Sequence, residues 1–592
     1  MAPVNTNRLM TIPFVLLFLL ASTILLFANP GPAWASNEEK VALVMKALSN
    51  PFFFKMEEGA RAFAKKNGIH LEVFGLERET DVKEQIGIVK NLIAQKYGAI
   101  VIAPADSVTL VPICKKAMEQ GIPVINIDNP LNRKAMQELG VSIPFVGPDN
   151  DKGAQLVGKY IRDKLGDKCN YFVIEGIRGV ENADLRKRGF IEAMSEKGNS
   201  ILLASETANW HTDEAFSVAT RLLQKYPSVD AIFCANDSMA LGVLKAINIL
   251  GMNSRIMVGG YDNIDEVRNE MRLGKMDATA EQHPELMGET GVDLAWGAIH
   301  GKSVPDYVST PVDLVTRDTF GKEVYLCVSN KNDPFFEAIE RGASKAADLN
   351  GIALTVMDAK NDSAMQLTQI IRAVEAKPAA IIINPTDTEM ILPGIEKANE
   401  RRIPVITVDR KTREGSVLCY VGSDNHQGGL RAGQIMAKLL HGKGRIVEIE
   451  GIPGTSAAQE RAAGFNEEIL KNPDLKIVER DVANFNRQEA RDAVSRLLAK
   501  GTAFDGIFAH NDNMILGALD ALLEAGKSPL PVLIGFDAID EAREEVRKGR
   551  LSATIAQNPD AMGRLAVDSA AEHLRGQQVD NLIRVDLLEV IP

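Results

Sequence analysis

The chain of 592 residues contains one domain-length repeat, and the two copies keep nearly the same register. The segment FCANDSMALGVLKAINILG begins at Phe233 and returns as FAHNDNMILGALDALLEAG at Phe508, 275 residues later. Asn50 and its counterpart Asp333 lie 283 residues apart, so only small deletions disturb the register. A long and nearly constant offset indicates a duplicated domain rather than a short-period solenoid. Polar and aromatic residues survive in both copies, which a shared fold alone would not require.

Size and charge narrow the class of protein. Each copy of roughly 280 residues is near the size at which a single core divides into two lobes. The formal net charge is -12 and the sequence has no basic run, which argues against a protein that binds nucleic-acid phosphates. Hydrophobic residues make up 45% of the chain and charged residues 25%, as in ordinary globular proteins.

The N-terminal segment is typical of a secretory signal peptide. Residues 12–28 are almost wholly apolar and follow Arg8, and residues 33–35 read AWA, with small residues where a signal peptidase reads them. We therefore predict a signal peptide over residues 1–35 and export of the mature chain. An uncleaved segment that anchors the protein to the inner membrane is the alternative.

No motif in the sequence predicts catalysis, a metal ion or a cofactor. The five cysteines are scattered without a CxxC pair or a His/Cys cluster, and we expect buried free thiols. Neither G-x-S-x-G nor H-E-x-x-H occurs, so the sequence does not predict an enzyme. GPDNDKG from Gly147 lacks the later acidic ligand of a calcium loop, and a helix cap is the preferred interpretation.

The order of apolar segments predicts an α/β fold. VALVMKA, AIVIAPA and IPVINID are apolar throughout and alternate with longer amphipathic segments, as in parallel sheets covered by helices on both faces. Halfway through each copy the pattern restarts, at NYFVIEG in the first and RIVEIEG in the second. We therefore predict two doubly wound lobes per copy, with ligands bound at the carboxyl ends of the strands.

Polar and aromatic residues recur at these strand ends in both copies. In the first copy they are Asn50, Phe52, Phe53, Asp128, Arg186, Trp210, Asn236, Asp262 and Gln282. In the second copy they are Asp333, Phe335, Phe336, Asp409, Arg410, Arg461, Phe485, Asn511, Asp537 and Gln557. Carboxylates accept hydroxyl protons, Arg and Asn donate, and aromatic rings cover C–H faces, so the set fits a sugar.

Several of these residues also have a purely structural interpretation. The NPFF and DPFF segments read as helix starts, with Asn50 or Asp333 as the cap and Pro at the first position. Asp262 and Asp537 are candidates for helix caps as well. Asn236-Asp237 and Asn511-Asp512 also open helices, and there we expect Asn to contact ligand and Asp to serve the structure.

Ordered motifs give the chain a family resemblance. NDPFF, ITVDR, GTSAAQERAAGF, NFNR, HNDNMILGAL, GFD and TIAQNP in the second copy resemble the ribose-binding periplasmic proteins. KALSNPF, INIDN, ADLRKRGF, NWHTDEA, CANDSMALG and ATAEQHP in the first copy resemble the allose-binding branch. The chain is thus similar to a tandem fusion of two type I periplasmic binding proteins.

The resemblance implies an architecture and a function. Each unit would have two lobes joined by three crossover strands and would close by a hinge around one sugar. Phe335 and Phe336 would stack on one sugar face and Phe485 on the other. The protein would be a non-catalytic periplasmic binding protein that delivers sugar to an ABC-type permease. A membrane-associated sensor that presents sugar to a chemoreceptor or sensor kinase is the alternative.

The resemblance also implies domain limits and departures from the family. The first unit would span 38–317, with lobes of about 38–147 plus 283–311 and 148–282, and the second 322–592, with lobes of about 322–423 plus 558–586 and 424–557. The segment 316–322 is too short for a free linker, so the units should lie close together. The departures fall at Lys46 against Ser329, Asn50 against Asp333, Asn129 against Arg410, Trp210 against Phe485 and Tyr261 against Phe536. Unlike linings predict two different ligands, with a hexose-like polyol in the first unit.

Overall fold

The structure is a computed structural model that describes residues 39–166, 168–252 and 256–592. The signal peptide predicted for residues 1–35 lies outside these residues. Within the described ranges, no helix combines the length and the apolar composition that a membrane span requires.

The elements of the first unit alternate between strands and helices. The strands are β1 (Val41–Ala47), β2 (Leu71–Leu76), β3 (Ala99–Ile102), β4 (Val124–Ile127), β5 (Phe145–Pro148), β6 (Asn170–Glu175), β7 (Ile201–Thr207), β8 (Ala231–Cys234), β9 (Met257–Gly259), β10 (Ala278–Glu281), β11 (Tyr307–Thr310) and β12 (Asp313–Thr316). The helices are α1 (Pro51–Asn67), α2 (Val82–Ala94), α3 (Val111–Glu119), α4 (Arg133–Leu139), α5 (Asn150–Leu165), α6 (Glu181–Ser195), α7 (Thr212–Lys225), α8 (Asp237–Ile249), α9 (Asp265–Arg272) and α10 (Pro284–Ile299).

The second unit repeats this alternation. Its strands are β13 (Glu323–Val328), β14 (Ala353–Asp358), β15 (Ala380–Ile383), β16 (Val405–Val408), β17 (Cys419–Gly422), β18 (Lys443–Glu450), β19 (Asp474–Val482), β20 (Gly506–Ala509), β21 (Val532–Asp537), β22 (Ala553–Ala556), β23 (Leu582–Arg584) and β24 (Leu588–Val590). Its helices are α11 (Pro334–Asn350), α12 (Ser363–Ala376), α13 (Leu392–Glu400), α14 (Asn425–Leu439), α15 (Ser456–Leu470), α16 (Arg487–Ala499), α17 (Asp512–Glu524), α18 (Asp540–Arg547) and α19 (Pro559–Leu574).

The strands of the described residues form four six-stranded sheets, two in each unit. The first unit has the orders β2-β1-β3-β4-β5-β11 and β7-β6-β8-β9-β10-β12. The second has β14-β13-β15-β16-β17-β23 and β19-β18-β20-β21-β22-β24, which is the same arrangement. Pairing is parallel except at one edge of each second sheet, where β12 and β24 run antiparallel to β10 and β22. The predicted doubly wound α/β class, as two tandem units of two lobes, is confirmed.

The chain passes between the two sheets of a unit three times. In the first unit it crosses from β5 to α5, from β10 to α10 and from β11 to β12. The second unit crosses at the matching elements, from β17 to α14, from β22 to α19 and from β23 to β24. These three crossovers are the hinge geometry that the family resemblance implies. The residue limits predicted for the lobes stay predictions.

Burial explains why the apolar segments form central strands. Every residue of β1, β3 and β4 is buried, because helices cover both faces of the sheet.

All five cysteines are buried and free, as predicted. Asp149, in the GPDNDKG segment, accepts a hydrogen bond from the Lys152 amide and caps α5, so the helix-cap interpretation is confirmed. The sequence pattern missed the seven-residue α4, which the second unit lacks between β16 and β17.

Candidate functional site

The predicted site residues of the first unit converge on one cavity between its two sheets. The cavity is lined by Lys46, Asn50, Phe52, Phe53, Asp128, Arg186, Trp210, Asn236 and Asp262, together with Glu79 and Asn182. Gln282 lies behind this lining, where it accepts a hydrogen bond from Arg186 at 3.0 Å and donates one to Asp262 at 2.5 Å. The structure therefore brings together residues spread over more than two hundred positions of the chain.

The second unit places its residues in the same way. Its cavity is lined by Asp333, Phe335, Phe336, Asp409, Arg410, Arg461, Phe485, Asn511 and Asp537, among others. Ser329 and Gln557 lie just behind the lining. Ser329 accepts a hydrogen bond from Arg410 at 3.1 Å, and Gln557 donates one to Asp537 at 2.8 Å. Ligand contact by these residues remains a prediction in both units.

A buried arginine is at the centre of each site. Arg461 donates to Asn425 at 2.8 Å and to the His510 carbonyl at 2.5 Å, and its guanidinium lies 3.4 Å from Asp537. The Phe536 ring lies under it at 3.8 Å. These contacts hold the guanidinium group in one orientation, so its remaining N–H groups point in a fixed direction.

Arg186 repeats this arrangement in the first unit. It donates to Asn150 at 2.8 Å and to the Ala235 carbonyl at 2.9 Å, and it lies 3.5 Å from Asp262. Tyr261 supplies the ring beneath it at 3.9 Å. The predicted difference between Tyr261 and Phe536 therefore lies under the arginine.

The cation beside the first-lobe aspartate comes from a different strand in each unit. In the first unit Lys46, from β1, lies 3.4 Å from Asp128. In the second unit Arg410, which follows β16, lies 3.6 Å from Asp409, and the position equivalent to Lys46 is Ser329. The substitutions at these positions thus compensate one another, because each site keeps one cation next to this carboxylate.

Asn129 takes over the structural part of the role of Arg410. Its Nδ2 donates to the Pro104 carbonyl at 3.1 Å, and Arg410 donates to the equivalent Pro385 carbonyl at the same distance. Asn129 is fully buried, and its side chain is too short to extend beyond this carbonyl. The longer Arg410 side chain continues beneath the rings of Phe336 and Phe485, 5.2 Å from each.

Aromatic side chains form opposite walls of both cavities. Phe335 and Phe336 meet edge to face at 5.4 Å at the start of α11, and Phe485 lies across the cavity against Gly451. A Cβ at Gly451 would lie 2.2 Å from the Phe485 ring, so only glycine leaves room for this wall. Trp210 occupies the matching position against Gly176.

The backbone of the aspartates that line the cavities has a positive φ at the same positions in both units. Asp128 and Asp409 both have φ of 63°, and Asp262 and Asp537 have φ of 121° and 107°. Non-glycine residues rarely adopt such angles, and strained conformations of this kind cluster at functional sites. The duplication has kept this strain in both copies.

Burial acts strongly on the carboxylates of both sites. It raises the pKa of Asp262 and of Asp537 well above the usual aspartate range, although the neighbouring arginine partly offsets the effect. Burial also raises the pKa of Asp333 and Asp409. Carboxyl groups held in this way gain from the hydroxyl donors of a ligand.

Some buried polar atoms of the sites have no hydrogen-bond partner within the described residues. They include Asp128 Oδ2, Asn182 Oδ1, Trp210 Nε1 and Tyr261 OH in the first unit, and Asp409 Oδ1, Arg410 Nε and Gln557 Oε1 in the second. Unsatisfied buried polar groups are costly, and those that line a cavity are available to a polar ligand.

The structural interpretations of the motif residues are partly right. Asn50 and Asp333 cap their helices by accepting from the amides of Phe52 and Phe335, yet both line the cavities. Asp262 is not a cap, because α9 begins after Ile264 without a side-chain cap.

The residues that open α8 divide their roles. Asn236 caps the helix through Met239 N and also lines the cavity. Asp237 is fully buried and accepts from Thr279 at 2.8 Å and from the Ile264 amide at 3.1 Å, as expected for a structural residue.

Sequence reasoning missed several lining residues. Glu79 accepts a hydrogen bond from Asn50 at 2.9 Å, and burial raises its pKa despite the nearby Lys46. Its segment is two residues longer than the matching segment of the second unit, and this length difference was a usable signal. In the second unit Asn513 donates to Asp333 at 2.9 Å and so links the two lobes.

The two cavities differ greatly in size. The first has a volume of about 20 Å³ and the second about 510 Å³. Residues of both lobes line each of them. Among the described residues, no cluster of three or more His, Cys, Asp or Glu side chains is placed to hold a metal ion.

Comparison with known proteins agrees with this architecture. A family profile described as a periplasmic binding protein domain matches residues 41–303 and 324–578. The D-ribose/D-allose-binding protein of Pseudomonas aeruginosa is 40% identical over 47% of this chain and 88% of its own length. The ribose import binding protein of Escherichia coli is 37% identical over 45% of this chain and 90% of its own length.

A solved structure is similar as well. It is an ABC transporter periplasmic solute binding protein from Actinobacillus succinogenes with bound D-allose, 35% identical, with a TM-score of 0.46 over 47% of this chain and 98% of that one. The match of the family profile to most of the chain shows that the protein belongs to the periplasmic binding protein family, whose members are non-catalytic and act outside the cytoplasm, and that it carries two copies of the family's domain.

Proposed function

We propose that each unit binds one small uncharged carbohydrate between its lobes. The observation that carries this proposal is the pairing, in both units, of a fixed buried arginine with left-handed aspartates between two aromatic walls. Such a lining offers acceptors and donors to hydroxyl groups and flat surfaces to C–H faces. Relatives that bind ribose and allose support the ligand class.

The charges favour a neutral ligand in both sites. Three carboxylates and two cations line the first cavity: Glu79, Asp128 and Asp262 with Lys46 and Arg186. Four carboxylates and three cations line the second: Asp333, Asp409, Glu489 and Asp537 with Arg410, Arg461 and Arg487. Arg487 is paired with Asp520 and Glu541 at 2.8 Å, and the other cations are paired with carboxylates at 3.4–3.6 Å. A sugar phosphate would add charge next to these carboxylates, which like-charge repulsion opposes.

The unlike linings support different ligands for the two units. The first site has Lys46 where the second uses Arg410 as the cation, Glu79 with Asn50 where the second has Asp333, and the larger Trp210 in place of Phe485. We expect a hexose-like polyol in the first unit and a ribose-like sugar in the second.

The proposal extends to the route of the ligand. A binding protein exported to the periplasm, with the signal peptide removed, would close around its sugar and deliver it to an ABC-type permease. Sugar contacts from both lobes favour closure, because the closed state gains contacts that the open state lacks. The lobe limits at 147/148 and 423/424 remain part of this proposal.

Calorimetric titration of the full chain tests the function. D-ribose, D-allose and myo-inositol are titrated into the unchanged chain and into Arg186→Ala and Arg461→Ala, with D-ribose 5-phosphate as the charged control. We expect two sites in the unchanged chain, loss of one site in each variant and no binding of the phosphate ester. Absence of heat with every neutral sugar would refute the proposal.

A further inference from the structure

The segment that joins the two units is fixed on both sides. Arg317 forms an ion pair with the buried Asp277 at 3.0 Å and so attaches the segment to the first unit. Thr319 is fully buried, and its hydroxyl donates to the Asn350 carbonyl of the second unit at 2.6 Å. Because its side chains contact both units, this joining segment, called the joint below, has little freedom to rotate.

Phe320 and Arg268 extend this joint. The Phe320 ring lies against Gly351 at the end of α11, and the guanidinium groups of Arg268 and Arg272 lie 5.7 Å from the ring. Arg268 also donates to the Leu349 carbonyl at 3.1 Å. The second lobe of the first unit is thereby attached to the first lobe of the second unit.

The joint adjoins the hinge of the first unit. His283 lies in the crossover from β10 to α10, directly after the site residue Gln282. Its Nε2 lies 2.6 Å from Asp313, which begins β12 immediately after the crossover from β11. One ion pair thus connects two of the three crossovers, and the backbone of the crossovers takes up the rotation when the lobes move.

Charged groups of the second unit interact electrostatically with Asp313 of this pair. Arg564 and Asp568 lie on α19 and Arg575 lies just beyond it, all within electrostatic range of Asp313. Burial alone would raise the pKa of Asp313, but the hydrogen bond with His283 and the positive charges of His283, Arg564 and Arg575 lower it. The attraction between these opposite charges is strongest when the crossovers and α19 stay close together.

The second unit provides an internal comparison. The residues equivalent to His283 and Asp313 are Asn558 and Leu588, which cannot form an ion pair. The Leu588 side chain is 67% exposed. Arg543, the counterpart of Arg268, donates to the Ala538 carbonyl of its own unit at 2.7 Å. The charged pair is therefore present at the hinge that has a neighbour and absent, within the described residues, from the other.

We propose that the second unit restrains the hinge of the first unit through the His283–Asp313 pair and the neighbouring residues Arg564 and Arg575. The first lobe of the first unit then rotates relative to the second lobe of that unit, which is attached to the first lobe of the second unit. This inference concerns the motion of the lobes and does not depend on which sugar either unit binds.

Distance measurement between spin labels tests this coupling in the full chain without ligand. Labels at the exposed positions Lys83 and Asp213 report the separation of the two lobes of the first unit. The native cysteines are buried, so labelling is directed to the introduced ones. We expect that Asp313→Asn and Arg575→Gln each add a population at longer distance, and that Arg575→Lys restores the original distribution.

A matched pair of labels at Ala364 and Gln488, the equivalent exposed positions of the second unit, serves as the control. Its distance distribution should not change in any of these variants. Circular dichroism confirms that each variant is folded. An unchanged distribution in the first unit of the folded Asp313→Asn and Arg575→Gln variants would overturn the proposal, as would an equal change in both units.

Discussion

The two clefts have the same framework but differ in how their polar groups are supplied. In both clefts a buried arginine donates hydrogen bonds to an asparagine side chain and to a backbone carbonyl. The distance to the asparagine is 2.8 Å in each unit. The cation next to the first-lobe aspartate comes from β1 in one cleft and from the end of β16 in the other. A duplicated site therefore conserves its charge balance more strictly than the position of each residue.

The largest expected effect comes from removing the arginine of one cleft. Arg461→Ala leaves the buried Asp537 without its cation and the His510 carbonyl without its donor, and loss of one partner of a buried ion pair costs about 3–5 kcal/mol. We expect the second unit to lose binding and the first to keep it, as measured by calorimetry and denaturant unfolding. Arg491→Ala, which breaks an exposed pair with Glu524, is the control. Unchanged binding by the second unit would contradict the site assignment.

Exchanging the cation between strands tests the compensation directly. Arg410→Asn should destabilise the second unit by about 2 kcal/mol, because Asp409 stays buried without its cation. Ser329→Lys in the same chain should recover a substantial part of this loss by copying the first unit. A double-mutant cycle on the free energy of unfolding measures the coupling. Strictly additive effects would show that the two arrangements are not equivalent.

The change of stability with pH should be a smaller effect than those of the substitutions above, and it should occur in both units. Burial raises the pKa of Asp512 to about 7, and that of Asp237 likewise to about 7. Because the folded state binds these protons more tightly than the unfolded chain, the free energy of unfolding falls as pH rises through this range, by at most about 1.4 kcal/mol per group and pH unit.

Thermal unfolding in the absence of sugar checks this expectation. The melting temperature should be higher at pH 6 than at pH 8, and Asp512→Asn should reduce the difference. Asp492→Asn, at an exposed position of α16, should not. A melting temperature that rises from pH 6 to pH 8 would show that other groups dominate.

The smallest effect is expected from making the aromatic walls alike. Trp210→Phe gives the first unit the wall residue of the second and removes a buried indole N–H that has no partner among the described residues. Stability should change by less than about 1.5 kcal/mol, because the lost ring volume opens onto the cavity and the unpartnered N–H is removed with it. Competition titration should show a shift in preference from D-allose toward D-ribose. Trp296→Phe, away from the cavity, should leave the preference unchanged.

Local patterns predicted most of the fold and the site. The central strands were recognisable because burial on both faces makes them apolar throughout, as in β3 and β4. The short edge elements were not, because β11, β23 and α4 carry little periodicity of their own. Glu79 was missed because its role depends on a loop that reaches the cavity.

The sequence by itself determined the duplication, the fold class and the polar residues that meet at the strand ends, since repeat register and strand burial are written along the chain. Only the tertiary structure decided which partner each of these residues has. Lys46 reaches Asp128, Asn513 reaches Asp333, and His283 meets Asp313 across the hinge. Such contacts join positions far apart in the chain, and their geometry is set by how the lobes and units pack, which no local pattern records.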